Sequence, residues 1–385
     1  MSENFLHGVS VVEVDSGPRS IRGTSSSVIG IVGTAENADA EAFPLNKPVL
    51  ISGSLTEAAK LGISGTLPSA INGIFAQGGA NIVVIRVAEG TGESAEIDTI
   101  AKVIGAVNNA DGTYSGMQSL LAAQSTLGVT PRILLAPGFS HNDSVAVEFL
   151  TLAERLHGIF IADAPDIEAD AVDFADNLSH SRAYVVYPKV INTKNEIVPA
   201  SSYVAGIIAK TDNETGFWCS PSNKKINGII GLSKSIDFSL GDFVCKANYL
   251  NENNIATIIN QDGYRLWGNR TCSSDSKWQF LSVRRTADII DDSILRAHLW
   301  AVDRNIVKNY VTDIVESVNA YLANLKSLGA IIDGKCFAND ELNTPSNIAD
   351  GKIYFDFEFV PSYPAEKVTF RSYLDIGLNS TFLAV

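Results

Sequence analysis

The sequence is poor in residues and motifs that mark several common protein classes. It has four cysteines and two methionines in 385 residues. Cys219, Cys245, Cys272 and Cys336 form no CxxC pair and have no nearby histidine pair, which excludes the usual zinc and thioredoxin-type motifs. We therefore expect reduced and mostly buried thiols in a chain that is made in the cytosol.

Basic residues and long hydrophobic runs are also scarce. Lys and Arg number 29 against 43 Asp and Glu, giving a net charge of -14. Phosphate binding needs a concentrated basic face, so we expect no direct contact with nucleic acid. The most apolar stretches, such as 82–87, are strand-sized and far shorter than a bilayer span. No signal peptide is visible, and we expect no membrane insertion.

Motifs that carry chemistry are missing as well. GxxxxGK[ST], GxSxG and HExxH do not occur. Gly30 and Gly33 follow the first predicted strand, but the third glycine of a dinucleotide fingerprint is absent. Asp288, Asp291 and Asp292 cluster on a predicted helix, which we interpret as an acidic first turn. We predict no catalytic residue, no cofactor and no metal.

What the sequence does contain is an alternation of strands and helices between residues 27 and 188. Predicted strands lie at 27–32, 47–52, 82–87, 132–136, 159–162 and 183–187, and predicted helices at 55–61, 68–77, 143–157 and 167–178. This alternation is typical of a wound, largely parallel sheet.

The later part of the chain has a different pattern. Helices are predicted at 201–210, 284–300 and 303–328, with loops and short strands between 212 and 280. In the last helix an apolar stripe runs from Ile306 to Leu328, and Gly329 is placed to end it. Residues 353–360 alternate between apolar and polar types, which predicts a strand.

Both ends of the chain carry amphipathic strand patterns. The apolar positions are Val9, Val11, Val12 and Val14 at the start, and Val368, Phe370, Leu374 and Ile376 at the end. Gly17 and Pro18 terminate the first pattern. Exposed strand edges promote aggregation unless they are used, so the arms either pair with a neighbouring chain or fold back into their own sheet.

Several segments resemble, in order, the contractile tail sheath family of myophages and R-type bacteriocins. They are HGVSVVEVDSGPRSI, SVIGIVGTA, FPLNKPVLIS, GGANIVVIRV, the segment from SYVAGIIAK to INGIIGL, DGYRLWGNRT with the later RRT, and YPAEKVTFRSYLD. The resemblance runs from residue 6 to residue 376, and the length is similar to that of the compact sheaths of temperate enterobacterial phages.

The resemblance implies a structural subunit and no enzymatic activity. The subunit polymerises helically with copies of itself around a tail tube, between a baseplate and a tail terminator, and contracts to drive the tube through the host envelope. The resemblance further implies assembly in the host cytoplasm and a place in the virion tail. The expected fold combines α/β and α+β parts: an N-terminal arm (1–22), an outer wound α/β domain (23–195), an inner α+β domain (196–365) and a C-terminal strand arm (366–385).

Two finer hypotheses and three alternatives accompany this prediction. Gly17, Pro18 and Gly23 are predicted to form the arm linker that re-angles on contraction. Arg304, Lys308 or Lys326 is predicted to meet acidic groups on the tube. The alternatives are a sheath of an R-type bacteriocin or other headless injection system, a secretion-system sheath, and, of a different class, a flavodoxin-like cofactor-binding protein or enzyme.

Overall fold

The computed structural model describes residues 21, 23–108, 110 and 112–374. The strands are β1 (Ile29–Thr34), β2 (Val49–Ser52), β3 (Asn81–Val87), β4 (Val107–Asn108), β5 (Thr113–Tyr114), β6 (Ile133–Leu135), β7 (Ile159–Asp163), β8 (Ala183–Val186), β9 (Val190–Asn192), β10 (Ile197–Val198), β11 (Ile229–Leu232), β12 (Ile255–Asn260), β13 (Tyr264–Trp267), β14 (Ile331–Ala338) and β15 (Phe355–Pro361).

The helices are α1 (Leu55–Ala58), α2 (Thr66–Phe75), α3 (Ala95–Ile104), α4 (Ala123–Leu127), α5 (Asp143–Arg155), α6 (Glu168–Leu178), α7 (Ser201–Glu214), α8 (Lys246–Glu252), α9 (Leu281–Ala297), α10 (Lys308–Ser327) and α11 (Pro345–Ala349). Short 3₁₀ turns lie at Ala59–Leu61, Gly92–Ser94, Gly116–Ala122, Ser276–Trp278 and Leu299–Ala301.

The main sheet has eight strands in the order β13-β12-β8-β7-β6-β1-β3-β2. The six central strands are parallel, whereas the edge strands β13 and β2 pair antiparallel with their neighbours. The predicted wound α/β architecture is therefore confirmed. Its strands are almost continuous apolar runs because both faces of the sheet are covered, as is usual for parallel sheets.

The two faces of the sheet bury alternate residues of each strand. In β1, Ile29 and Ile31 belong to one core cluster, which α2 and α7 cover. Val32, and Val28 directly before the strand, belong to the opposite cluster, which α3, α4, α5 and α6 cover. This alternation follows from the two-residue period of a strand, and it places one helical layer on each side. We call the sheet with these two layers the sheet unit.

The expected domain boundary at residue 195 does not coincide with the edge of the sheet unit. Strands β12 and β13 come after that residue and extend the sheet on the β8 side. Helix α7 also follows it, and Val204 and Ile208 are buried in the sheet's core. A strand joins a sheet through hydrogen bonds to a segment that can be far away in the chain, so the composition of the chain does not show where the sheet ends.

A smaller unit, the hairpin unit, follows in the chain and consists of α10, β14 and β15. The two strands pair antiparallel, with Cys336 opposite Phe357. Val318, Leu322 and Leu325 of α10 pack against them. The predicted strand at 353–360 is confirmed as β15. Helix α10 begins at Lys308 rather than at residue 303, so Ile306 lies outside the helix.

Helix α9 joins the two units. Its first residue, Leu281, is buried in a core of the sheet unit, and Ile290 is buried in the core of the hairpin unit. Nine residues correspond to two and a half turns, so these side chains lie on opposite faces of the helix. The helix therefore contributes one face to each core.

Buried ion pairs fix α9 across the amino ends of two strands. Arg182, next to β8, forms two hydrogen bonds of 2.6 and 2.7 Å with Asp288. Arg132, next to β6, contacts Asp292 at 2.6 Å. Arg285 of α9 pairs with Asp212 of α7 at 2.6 and 2.5 Å. All six side chains are nearly buried, and such pairs are costly to break because one charge is left without a partner.

The acidic cluster on this helix was placed wrongly by the sequence interpretation. Asp288, Asp291 and Asp292 lie in the middle of α9, which begins at Leu281, and not in its first turn. Two of the carboxylates bind arginines of the sheet unit. Their role is to dock the helix, and the interaction with the helix dipole is not the reason for the cluster.

Candidate intersubunit surfaces

The C-terminal segment 362–374 is fixed to the body at its beginning. The hydroxyl of Ser362 donates to the carbonyl oxygen of Gly329 at 2.7 Å. The ring of Tyr363 packs edge-on against Phe280. The guanidinium of Arg270 then binds the carboxylate of Glu366 with two hydrogen bonds of 2.7 and 2.6 Å. The hydrogen bonds with Glu366 raise the pKa of Arg270.

Beyond Lys367 the large apolar side chains of the segment are mostly exposed. Lys367 lies with its ammonium 5.3 Å from the ring centre of Phe243. The side chains of Val368, Phe370 and Leu374 are 67%, 92% and 91% exposed. Residues 362–374 form no helix or strand. Three predicted arm residues are thus solvent-exposed apolar groups without a strand partner in their own described chain, while Ile376 lies outside the described residues.

The N-terminal arm itself lies outside the described residues, including Val9, Val11, Val12, Val14, Gly17 and Pro18. Its attachment to the body is visible. Ile21 packs against the core of the hairpin unit, and the amide of Thr24 donates to the hydroxyl of Ser293 at 3.2 Å. Gly23 is exposed between these two contacts, with no neighbour near the position of a Cβ. It therefore lies inside an attached segment.

Strand β15 offers the open edge of the hairpin. The side chain of Asn319 in α10 binds both the amide and the carbonyl of Cys336, at 2.7 and 3.0 Å, on the outer side of β14. Along a strand, the N–H and C=O groups of successive residues alternate between facing the paired strand and facing away from it. Two residues that lie opposite each other in an antiparallel pair either both face the other strand or both face away from it. The amides of Phe355, Phe357 and Phe359 therefore point away from β14, and the described residues place no strand beside them.

The three residues predicted to contact the tube do not lie on one element: two are on α10 and the third precedes it. Lys308 and Lys326 lie 18 residues apart on α10, which is five turns and about 27 Å, so they share one face. Lys326 already binds Asp333 at 2.9 Å. That hydrogen bond and charge hold the pKa of Asp333 below its usual range. Arg304 precedes the helix, and its guanidinium lies over the ring of Trp300 at 5.1 Å.

The place where wound sheets usually bind cofactors is filled by the protein itself. Such ligands bind outside the carboxyl ends of the strands, where the strand order reverses, and here this is the end of β1. The hydroxyl of Thr66 accepts from the amide of Thr34, and the hydroxyl of Thr34 accepts from the amide of Thr66, at 3.1 and 3.3 Å. Helix α2 thus begins directly on the strand, in the position that a phosphate would need.

Close packing also explains Gly30 and Gly33. A Cβ on Gly30 would lie 2.8 Å from Pro131, and one on Gly33 would lie 2.4 Å from the hydroxyl of Thr66. Among the described residues no group of three potential metal ligands is found. No helix in the described part of the chain is long and apolar enough to cross a membrane.

One carboxylate is fully buried at the carboxyl end of β7, and its partners are structural. Asp163 accepts from the amide and hydroxyl of Ser201 at 2.8 and 2.5 Å and from the hydroxyl of Ser140 at 3.2 Å. Burial raises its pKa. Because Ser201 is the first residue of α7, Asp163 caps that helix from a distant part of the chain.

Comparison with known proteins bears on the whole chain. Residues 112–272 match the phage tail sheath protein central domain, residues 273–375 the phage tail sheath C-terminal domain, and residues 26–87 the N-terminal region of tail sheath protein Gp18 domain III. The tail sheath protein of Escherichia phage P2 is 36% identical, with 96% of this chain and 95% of that protein covered.

The chain belongs to the phage tail sheath family. The sheath protein is also 44% identical to a protein named as a prophage major tail sheath protein in Pseudomonas aeruginosa (strain UCBPP-PA14), with 96% of each chain covered. The predicted family, its non-enzymatic structural role in a contractile tail, and its place in the virion tail are confirmed.

Solved structures show the same fold at low sequence identity. The sheath complex of the extracellular contractile injection system PVC, in the contracted state, matches with a TM-score of 0.72 at 18% identity, covering 98% of the sheath protein and 100% of that chain. The helical sheath of the anti-feeding prophage, also contracted, matches with a TM-score of 0.70 at 21% identity, covering 97% and 100%. The fold is therefore shared between phage sheaths and sheaths of injection systems.

Proposed function

We propose that the sheath protein polymerises helically with copies of itself around a tail tube by exchanging terminal strands. The open edge of β15 is the observation that supports this most directly. This edge presents three outward-facing amides, and the C-terminal segment of the same chain carries exposed apolar side chains at alternating positions. A strand from a neighbour would complete the ladder at β15, and the donor's own arm would do the same for another copy.

The same arrangement accounts for contraction without a nucleotide. Main-chain ladders keep neighbours joined, while the chain between ladder and body can change its direction. The work comes from the free-energy difference between two packings of the same subunits, triggered at the baseplate. On this proposal the tail terminator closes the far end, the tube is driven through the host envelope, and assembly takes place in the host cytoplasm.

The tube contact belongs to the same proposal. Because contraction requires release of the tube, this contact should be polar and modest, and exposed ion pairs are worth roughly 0–1 kcal/mol each. Lys308 and Lys326 share one face of α10 and could meet acidic groups 27 Å apart on the tube, at about 1.5 Å per residue. Because Asp333 already binds Lys326, an acidic group of the tube would have to compete with it there, and Lys308 is the better candidate for the tube contact.

Hydrogen exchange tests the strand exchange at single residues. In the unassembled chain the amides of Phe355, Phe357 and Phe359 should exchange rapidly, while those of Asp356 and Glu358, which face β14, should be protected. In the polymer all five should be protected. As a complement, deleting residues 1–20 should leave a soluble body that forms no tubes by negative-stain microscopy. Assembly into contractile tubes without the arm, or polymers in which the three phenylalanine amides still exchange rapidly, would refute the proposal.

A further inference from the structure

A second exposed feature lies in the loop between β11 and α8. Leu240, Phe243 and Val244 are 74%, 73% and 90% exposed, although all three side chains are large and apolar. We call these three residues the apolar turn. The sheath protein carries other exposed apolar side chains, but here three lie within five residues of one loop, and clustered exposed apolar groups usually mark interaction sites.

The turn is held in shape by bonds that do not depend on its apolar side chains. The carboxylate of Asp242 accepts from the amide of Val244 at 2.9 Å. The side-chain amide of Asn248 donates to the carbonyl of Phe243 at 2.9 Å. Next to them Cys245 is buried in a small cluster with Ile259 of the sheet. The exposed side chains are therefore presented on a fixed backbone, which lowers the entropy cost of binding through them.

The turn lies where the C-terminal segment leaves the body. The ammonium of Lys367 stands 5.3 Å from the ring centre of Phe243, and the predicted donor strand begins at the next residue, Val368. One extended residue spans at most about 3.6 Å. The backbone of Val368 is therefore separated from the apolar turn by no more than one lysine side chain and one residue, so a neighbour that pairs with the arm from Val368 onward comes close to the turn.

We infer that the apolar turn is a docking surface for a second copy of the sheath protein, namely the copy that accepts the C-terminal arm. This inference rests on the strand exchange proposed above. It adds a side-chain contact between folded bodies to the main-chain ladder of the arm. Because the contact is apolar, it should be insensitive to salt, in contrast to an ion-paired tube contact.

Substitution tests the inference in the full-length chain. The variant carrying Leu240→Ser, Phe243→Ser and Val244→Ser should assemble only at a concentration at least tenfold higher than the unaltered chain, measured by sedimentation and negative-stain microscopy. The increase should be the same at low and high salt. The matched control is Ile63→Ser, which alters a side chain that is 94% exposed in the sheet unit and should leave assembly unchanged. An unaltered assembly threshold in the triple variant would overturn the inference.

Chemical labelling provides a readout that does not depend on the triple variant folding. A Val244→Cys chain should react rapidly with a maleimide when dilute and unassembled, and at least tenfold more slowly in the polymer. Ile63→Cys should react equally in both, and the unaltered chain gives the background from Cys219. Protection of residue 244 already in the dilute chain would mean that its own terminal segment covers the turn. Protection only after a tube is added would assign the surface to the tube. Either result would overturn the inference.

The two proposals fail in different ways. If the unaltered chain forms no polymer under any condition, strand exchange fails and the inference falls with it. If the unaltered chain polymerises with protected β15 amides but residue 244 stays reactive, only the role of the apolar turn is refuted.

Discussion

Arg270 and Glu366 form a two-hydrogen-bond ion pair that ties the C-terminal segment to the loop after β13. Each side chain is about one-third exposed, at 32% and 35%. Pairs of this kind contribute little to the stability of a fold, on the order of 0–1 kcal/mol. The pair therefore sets the point at which the arm leaves the body. Breaking the pair would cost little free energy.

Removing this pair should free the base of the arm without unfolding the protein. In Glu366→Gln, trypsin should cut after Lys367 several times faster than in the unaltered chain, because the segment is no longer held against Arg270. The melting temperature should change little. Glu341→Gln, at an exposed position away from the arm, serves as the control. Equal cleavage rates in the two variants would show that the pair does not hold the segment.

Insertions on either side of Ile21 should have different consequences. Three residues inserted between Gly17 and Pro18 lengthen the proposed linker, so coupling between neighbours should weaken and sheaths should remain extended under the microscope. Three residues inserted between Gly23 and Thr24 instead disrupt an attached segment, because Thr24 binds Ser293. That variant should lose thermal stability. Normal contraction of the first variant would contradict the linker hypothesis.

Acid should weaken the docking of α9. Burial opposes ionisation of Asp292, but Arg132 and Arg296 outweigh burial and hold its pKa below the usual range. The stabilisation is therefore complete above the unfolded-state pKa of about 3.9 and is lost as the pH falls through the lower folded-state value. In Asp292→Asn the free energy of unfolding near neutral pH should fall by about 3–5 kcal/mol, since Arg132 stays buried and unpaired.

Denaturant unfolding between pH 7 and pH 2 measures this effect. The difference between the unaltered chain and Asp292→Asn should shrink toward acid pH. Asp350→Asn removes a carboxylate that is 60% exposed and should change the unfolding free energy by well under about 1 kcal/mol. A constant difference across the whole pH range would exclude ionisation of Asp292 as the cause.

The start of α2 should tolerate no side chain at Gly65. This residue has φ +91°, and a Cβ would lie 2.4 Å from the carbonyl oxygen of Thr34. Gly65→Ala should therefore cost clearly more than the about 1–2 kcal/mol expected for a left-handed conformation alone. Gly128→Ala measures the cost of the left-handed conformation alone, because φ is +72° and ψ is 10° there and nothing lies within 4 Å of the Cβ position, whereas Gly65 with ψ -173° adds a less accessible backbone region to the contact with Thr34. Equal losses of unfolding free energy would mean that the contact with Thr34 relaxes freely.

Charge reversal tests the tube contact. The variant with Arg304→Glu, Lys308→Glu and Lys326→Glu should form sheaths without a tube, but its extended sheath on a tube should be less stable, most clearly at low salt where exposed charges are least screened. Lys352→Glu, at another exposed lysine, is the control. Extended tails that are unchanged at low and high salt would argue against all three residues.

The sequence predicted the elements whose signal is local. Strand β3 and helix α5 were found because apolar runs and a periodic apolar face are readable within one segment. Helix α3 was missed, and β12 was not recognised as a member of the main sheet, because its pairing with β8 joins residues far apart in the chain. The buried pairs of α9 were missed for the same reason. Three buried cysteines and one half-buried cysteine, all free, match the expectation of reduced thiols.

The surfaces were predicted only in part. The exposed alternation at Val368, Phe370 and Leu374 was readable because the polar and apolar residues are neighbours in sequence. The open edge of β15 was not, because it depends on Asn319 occupying the outer side of β14. The apolar turn gave no periodic signal, since a loop has no regular face to count. The departure of Arg304 from α10 follows from the 3₁₀ turn at Leu299–Ala301 and the left-handed Asp303 before the helix.

Helix α9 determines where bending can occur when a sheath shortens. Leu281 and Ile290 lie on opposite faces of one continuous helix, and each is sealed in a different core. A rotation of the hairpin unit against the sheet unit would have to twist that helix or pull charged side chains out of their buried pairs. Each subunit should therefore move as one rigid body during contraction. The change in length of the sheath should be the sum of small rotations between neighbouring subunits.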